Sequence, residues 1–195
     1  MRTVKMMMTM VLAFAMSMTV SAQAFDKAYM KEIKKEVKKY EKDGWKVKPG
    51  SLSLTDQLAR SKKVELEEDD EGNPKWTMGS ASSVGSIYDA ARMQAMTLAK
   101  AELAALISTN LTQKFEAGIN NESLPHDEAE SKAKAVMAAK GLSVDQKLGS
   151  PRVLFDAYRT LPNGNVEVTL RVAVAQKKMD DILNDLITAS NDITN

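Results

Sequence analysis

The side chains of this 195-residue sequence that could carry chemistry are few in kind. It has one histidine, His126, and no cysteine. Thiol nucleophiles, structural disulfides and cysteine-ligated metals are therefore excluded. A Ser/His/Asp set could be built only around His126, which lies at a predicted turn after Pro125. Asp and Glu are plentiful, so a hydrolase that uses a carboxylate pair stays open.

Glu102 is the carboxylate that breaks its local pattern. On a regular helix it projects among apolar side chains, namely Ile87, Ala91, Ala95, Leu98 and Ala105. One interpretation is a buried carboxylate that handles a proton or pairs with a ligand. The other, which we favour, is that the apolar face has begun to rotate, which leaves Glu102 at a solvated edge or paired with an arginine such as Arg171. Glu102 and Arg171 are thus the candidate binding residues, and no catalytic residue is predicted.

Two predicted loops have features of ligand-binding sites. The run Glu67-x-Asp69-x-Glu71-Gly72 is similar to the first half of a calcium loop, but its twelfth position is Met78, where a glutamate is required. The run 79–85 precedes a helix, yet lacks the P-loop lysine and the dinucleotide glycine spacing. We predict a solvated turn and a tight strand-to-helix passage, with no metal and no cofactor.

The element that must position Glu102 is a long alanine-rich helix, predicted over Ser86–Gly118. Ser86 and Asp89 resemble a capping box, and Gly118 suits the position after the helix. The apolar face of the first half and that of the second half lie on nearly opposite sides. We expect the first half to pack on a sheet and the second half on another helix.

Two hairpins are predicted to form that sheet. The first joins strands at Lys63–Glu68 and Lys75–Ser82 through the acidic turn, and the second joins Arg152–Leu161 to Asn165–Ala175. The predicted fold class is α+β: a mainly antiparallel sheet of two hairpins, covered by the long helix. The helix stripe should face the second hairpin, with the contacts made by Ile87, Ala91, Ala95 and Leu98 on Val168, Leu170 and Val172.

Further amphipathic helices complete the prediction. One covers Asp26–Asp43, and a short one capped by Ser53 lies around Leu54–Arg60. Another opens at Pro125 and ends before Gly141, and forms a helical hairpin with the long helix. The last is marked by a regular apolar stripe, namely Met179, Ile182, Leu183, Leu186 and Ile187.

The first 24 residues have the pattern of a secretory signal peptide. Arg2 and Lys5 precede an apolar run, and cleavage after Ala22 or Ala24 satisfies the small-residue rule. The mature chain would be periplasmic or otherwise exported, without a lipobox cysteine or a transmembrane helix. The predicted organisation is a signal peptide (1–24), a helix and connecting segment (25–61), one α+β domain (62–189) and a polar tail (190–195).

The net charge of the chain limits the classes of partner that we expect. Once Arg2 and Lys5 are removed with the leader, 25 basic and 26 acidic residues remain. This balance favours neither a nucleic-acid binder nor a strongly cationic membrane binder. The lysine-rich faces of the first helix also carry glutamates, so we interpret them as solvated surface. The expected partners are envelope proteins.

The order of these elements behind a leader resembles small bacterial envelope domains over about Lys62–Ile187. The group includes the N-terminal domain of the flagellar T-ring protein FlgT and twenty-kilodalton outer-membrane lipoproteins. The resemblance is carried by two glycines and a repeated small position, namely Gly79, Gly85, Ala91, Ala95, Ala99 and Leu103. The blocks DGWKVKPGSLSL and YDAARMQAMTLAKAELA are also similar to exported Gram-negative proteins of unassigned function. The resemblance implies an α+β binding or assembly module without catalysis.

Three functions from different classes follow. The first is a non-enzymatic envelope protein that acts as a binding or assembly module. The second is a periplasmic carboxylate-dependent hydrolase, which two carboxylates converging in one pocket would favour. The third is a carrier of an apolar ligand, which a long cavity between sheet and helix would favour.

Overall fold

The computed structural model describes residues 28–119 and 123–193. The chain divides into two compact units, with the boundary in the sequence between Asp43 and Gly44. The predicted signal peptide and its cleavage sites lie outside the described residues. The first unit contains helix α1 over residues 28–42. The elements of the second unit are α2 (Leu54–Glu65), β1 (Trp76–Gly85), α3 (Tyr88–Ala117), α4 (His126–Leu148), β2 (Arg152–Thr160), β3 (Val166–Ala175) and α5 (Gln176–Ile193).

The fold is α+β around a three-stranded antiparallel sheet in the order β1-β3-β2. β3 is the central strand, so β1 and β2 are the two edges. The hairpin β2–β3 was predicted from its alternating valines and its Pro-Asn-Gly turn, and the structure confirms it. The strand β2 has a bulge between Val153 and Phe155, and the consecutive side chains of Leu154 and Phe155 are both buried.

The first strand of the first predicted hairpin is wrong, whereas its second strand, Lys75–Ser82, corresponds to β1. Lys63–Glu65 continue α2, and the segment that follows makes only an isolated bridge between Glu68 and Pro74. The buried side of α2 keeps a helical spacing, with Leu54, Gln57, Leu58, Ser61 and Val64. Val64 packs with Leu154 and Ala173 on the sheet, while Leu66 is 51% exposed. The predicted cap is confirmed, because the Ser53 hydroxyl accepts the N–H of Asp56.

A 30-residue helix, α3, follows β1. Its N-cap is Ile87 without a side-chain hydrogen bond, so the predicted Ser86–Asp89 cap is wrong. Its buried stripe recurs every four residues, at Ala91, Ala95, Ala99, Leu103, Ile107, Leu111 and Phe115. Each step of four drifts by about 40° on a helix of 3.6 residues per turn, so the stripe turns through roughly 240° along α3. This drift lets one helix pack on the sheet first and on helices afterwards.

Small residues bring the start of α3 onto the sheet. Ala91 and Ala95 pack on Val168 and Leu170, as predicted. The other two predicted contacts are wrong, because Ile87 is 60% and Leu98 is 45% exposed. The drift of the stripe toward Ala99 and Leu103 turns Leu98 out to solvent.

The second half of α3 packs in a larger core with α4, α5 and β3. Its members besides the α3 side chains are Ala129, Ala133, Val136, Val144, Leu148, Val172, Val174, Met179, Ile182, Leu183 and Leu186. α4 runs past Gly141 to Leu148, so the predicted end of this helix is wrong. The physical reason is that Val144 and Leu148 are buried in this core, which stabilises the helix beyond the glycine. α5 reaches Ile193 and so takes in the first residues of the predicted polar tail.

Helix α1 of the first unit is amphipathic, with Ile33 and Val37 buried. The second unit begins before the predicted boundary at residue 62, and α2 runs across that boundary. None of the helices within the described residues combines the length and apolarity needed to cross a bilayer.

Candidate functional site

A pocket of about 350 Å³ lies at the outer edge of β1 and contains both candidate binding residues. The edge strand lines it with Met78, Gly79 and Ser80, β3 with Arg171, α2 with Ser61 and Glu65, and α3 with Glu102. α2 packs on the face of the sheet that carries Ala173 and Met78, and α3 on the face that carries Val168 and Leu170. The pocket therefore collects side chains from both faces around one strand.

Glu102 lies at a solvated edge, as the favoured interpretation of the sequence has it. Its side chain is exposed, and its Oε2 accepts the backbone N–H of Ser80 at 2.5 Å. The burial considered for Glu102 from the sequence is wrong, because the buried stripe passes through Ala99 and Leu103 instead. The carboxylate satisfies an amide that the edge strand directs away from the sheet.

Arg171 sits opposite Ser80 in the register of β1 and β3. Its guanidinium carbon lies 5.4 Å from the ring centre of Phe155, within the range of a cation–π contact. The alternation of β3 places Arg171 on the face opposite Leu170 and Val172, which is the α2 face. Glu102 and Arg171 thus line the same pocket although they start on opposite sides of the sheet.

Sequence reasoning missed Ser61 and Glu65. Ser61 is 1% exposed, and its Oγ is buried without a hydrogen-bond partner among the described residues. Glu65 Oε2 forms an ion pair with Lys62 Nζ at 3.0 Å. A signal was present: Leu54, Leu58, Ser61 and Glu65 follow the three- and four-residue spacing of one helix face. It was lost because residues 63–68 also fit an alternating strand.

The pocket is rich in hydrogen-bond acceptors. Its lining includes two carboxylates, a hydroxyl and a guanidinium, and Met78 supplies an apolar wall. Both carboxylates act as acceptors, Glu102 from a backbone N–H and Glu65 from an ammonium. This arrangement suits recognition of a group that donates several hydrogen bonds.

A second polar cluster, also missed, joins α3 to the other edge strand. Asp156 accepts the Tyr88 hydroxyl at Oδ1 and Arg92 Nε at Oδ2, both at 2.7 Å. Burial and this hydrogen bond raise the pKa of Tyr88 above its ordinary value. The Asp156 N–H donates to Gln57 Oε1 at 2.7 Å. Tyr88 and Arg92 are one helical turn apart, so the sequence indicates that they share a helix face. It does not indicate that Asp156 on β2 is their partner. Because these contacts pair Asp156 with Arg92 and connect β2 to α3 and α2, we interpret the cluster as structural.

The remaining sequence candidates are structural as well. His126 Nδ1 contacts Glu116 Oε1 across the α3–α4 junction, and this contact raises the pKa of the imidazole. In the acidic turn, Asp69 accepts the N–H groups of Asn73 and Glu71, which lower the pKa of its carboxyl. Residues 28–119 and 123–193 contain no group of three or more His, Asp or Glu side chains placed to hold a metal.

Comparison with known proteins adds no relative: no family model, no curated protein and no solved structure matches this chain.

Proposed function

We propose that this chain is an exported, non-enzymatic protein of the cell envelope that binds a partner protein along the outer edge of β1. The leader-like N-terminus and the resemblance to envelope assembly domains support the compartment and the class. The observation that carries the proposal is structural: β1 is a ten-residue edge strand, and Ser80, Ser82 and Val84 along it are exposed. An extended segment of another chain can add to such an edge as a further strand.

The direction of the backbone groups is given by Ser80. Its N–H points away from β3, because it donates to Glu102 of α3. Backbone groups of a strand alternate in direction, so Ser82 and Val84 direct theirs outward as well. These three residues are exposed, and each could pair with an incoming strand.

The other edge of the sheet is occupied in part by the chain itself. Lys46 pairs with Tyr158 of β2 through two backbone hydrogen bonds, of 2.7 and 2.8 Å. Gln57 takes the N–H of Asp156 on the same edge. The sheet therefore offers β1, and not β2, to a partner.

Apolar side chains at the end of β1 and on the segment that follows it are exposed. Val84 is 44% exposed, Ile87 at the N-cap of α3 is 60% exposed, and Leu98 within α3 is 45% exposed. Main-chain hydrogen bonds would supply affinity for an added strand, and these side chains would bury its apolar positions. Glu102 covers the Ser80 amide in the free protein, a device that limits uncontrolled pairing of edges.

The test is site-specific photocrosslinking in intact cells, with p-benzoylphenylalanine replacing Ser82 and, as control, Glu128 on α4. We expect a discrete adduct with an envelope protein from position 82 and none from position 128. A second reporter carries the crosslinker in place of Val84 and should form the same adduct. Adding Ser82→Pro to this reporter should abolish the adduct while the chain stays folded. Proline there removes an outward N–H and leaves the β1–β3 ladder intact. An undiminished adduct from a folded Ser82→Pro protein would contradict the proposal.

A carboxylate-dependent hydrolase is the second candidate, because Glu65 and Glu102 line one pocket. A general acid must donate a proton, whereas both side chains accept hydrogen bonds here. The measurement is hydrolysis of a panel of chromogenic glycosides by the purified protein. Activity that is lost in both Glu65→Gln and Glu102→Gln would establish the enzyme and displace the binding module.

A further inference from the structure

We infer that the edge-strand pocket receives the side chain of a lysine in the partner segment. The inference rests on the proposed function for the source of that lysine, and on the pocket itself for its chemistry. The pocket opens beside Ser80, the residue at which a segment paired with β1 would pass.

The buried hydroxyl of Ser61 is the first observation that points to a ligand. A polar atom removed from water without a hydrogen bond costs free energy, so such groups normally have a partner. Ser61 Oγ lacks one among the described residues, and Ser61 lines this pocket. A donor group that enters the pocket would satisfy it.

The charged groups and the apolar wall of the pocket suit the side chain of lysine, which carries an ammonium group on a flexible methylene stem. Two carboxylates, Glu65 and Glu102, line the pocket together with the guanidinium of Arg171, which lies over the ring of Phe155. Glu65 also pairs with Lys62, so an entering ammonium would share that carboxylate. An ammonium group has three donors and no acceptor, which matches two carboxylates and one hydroxyl. Met78 offers an apolar wall to the methylene stem.

The position of Glu102 couples the pairing of a partner strand with β1 to the binding of a lysine in the pocket. Its Oε2 holds the Ser80 N–H in the free protein. A partner strand that takes over this N–H would release the carboxylate, and an ammonium in the pocket would then pair with it. Strand addition and lysine recognition therefore favour each other.

The experiment is an NMR titration of the ¹⁵N-labelled protein with two capped heptapeptides of alternating threonine and valine. One has lysine at its centre, and the other has norleucine, which keeps the stem and removes the ammonium. We expect the lysine peptide to shift the amides of Ser61, Ser80 and Ser82 and to bind at least about tenfold more tightly than the norleucine peptide. Glu65→Gln with Glu102→Gln should remove this preference, whereas Glu128→Gln, distant on α4, should keep it.

The outcomes separate the two proposals. Equal binding of both peptides at Ser80 and Ser82 would retain strand addition and overturn the lysine pocket. If N-acetyl-lysine methylamide shifts Ser61 and Ser80 as strongly as the lysine peptide does, the pocket stands and strand addition falls. Absence of any shift at Ser61 with either probe would overturn the inference.

Discussion

At each edge of the sheet, one side chain accepts a backbone N–H that points away from the neighbouring strand. Glu102, from α3, takes the N–H of Ser80 on β1, and Gln57, from α2, takes the N–H of Asp156 on β2. The two caps differ in their surroundings, because Gln57 is buried and Glu102 is exposed. An exposed cap can be displaced without loss of packing, so the β1 edge is the one suited to binding.

His126 provides the prediction at this scale. The hydrogen bond and the charge of Glu116 raise the folded-state pKa of the imidazole above about 6.5, the value expected when the chain is unfolded. The contact therefore adds stability below about pH 6.5, and this contribution disappears as pH rises through the folded-state pKa. A ¹H NMR titration of the His126 ring should give a pKa above 6.5 in the unaltered protein and a lower one in Glu116→Gln. Identical titration curves would show that Glu116 does not act on His126.

At the scale of elements, the four-residue stripe of α3 explains how one helix serves two cores. Ala91 and Ala95 allow a close approach to the sheet, and the larger Ile107, Leu111 and Phe115 fill the space between helices. The glycines of β1 take part in the close approach. A Cβ on Gly85 would lie 2.8 Å from the backbone N of Ala91.

A pair of glycine substitutions tests this packing. Gly85→Ala should destabilise the protein by about 1–3 kcal/mol, because the new methyl group meets backbone of α3 that cannot rotate away. Gly141→Ala should instead stabilise it by about 0.5–1 kcal/mol, since Gly141 lies inside α4 with nothing within 4 Å of an added Cβ. Urea unfolding measures both. Equal effects from the two substitutions would mean that the β1–α3 approach is not tight.

At the scale of the whole molecule, the second unit has its own core, built from β1–β3 with helices on both faces. The residues before it include the predicted leader and α1.

Export is the prediction at this scale. The first 24 residues should be removed after Ala22 or Ala24, so that the protein from the periplasmic fraction begins at Gln23 or Phe25. N-terminal sequencing of that protein checks the cleavage site, and an Ala22→Arg, Ala24→Arg double variant should accumulate uncleaved. Recovery of a soluble protein with Met1 intact would overturn this assignment.

Elements with local sequence signals could be predicted without the structure. The β2–β3 hairpin follows from alternating valines and turn residues, the cap at Ser53 from a hydroxyl before an apolar run, and α5 from a regular helical stripe. Each signal lies within a few residues, so no distant contact is needed to read it.

The conformation of residues 63–68 and the composition of the pocket depend on contacts between distant parts of the chain. Val64 and Leu66 fit a strand as well as a helix, and the choice was made by burial of Val64 on Leu154 and Ala173, far along the chain. The pocket likewise joins Ser61 and Glu65 to residues that come much later in the sequence. Their meeting depends on two helices packing against opposite faces of one sheet, and local periodicity carries no information about that.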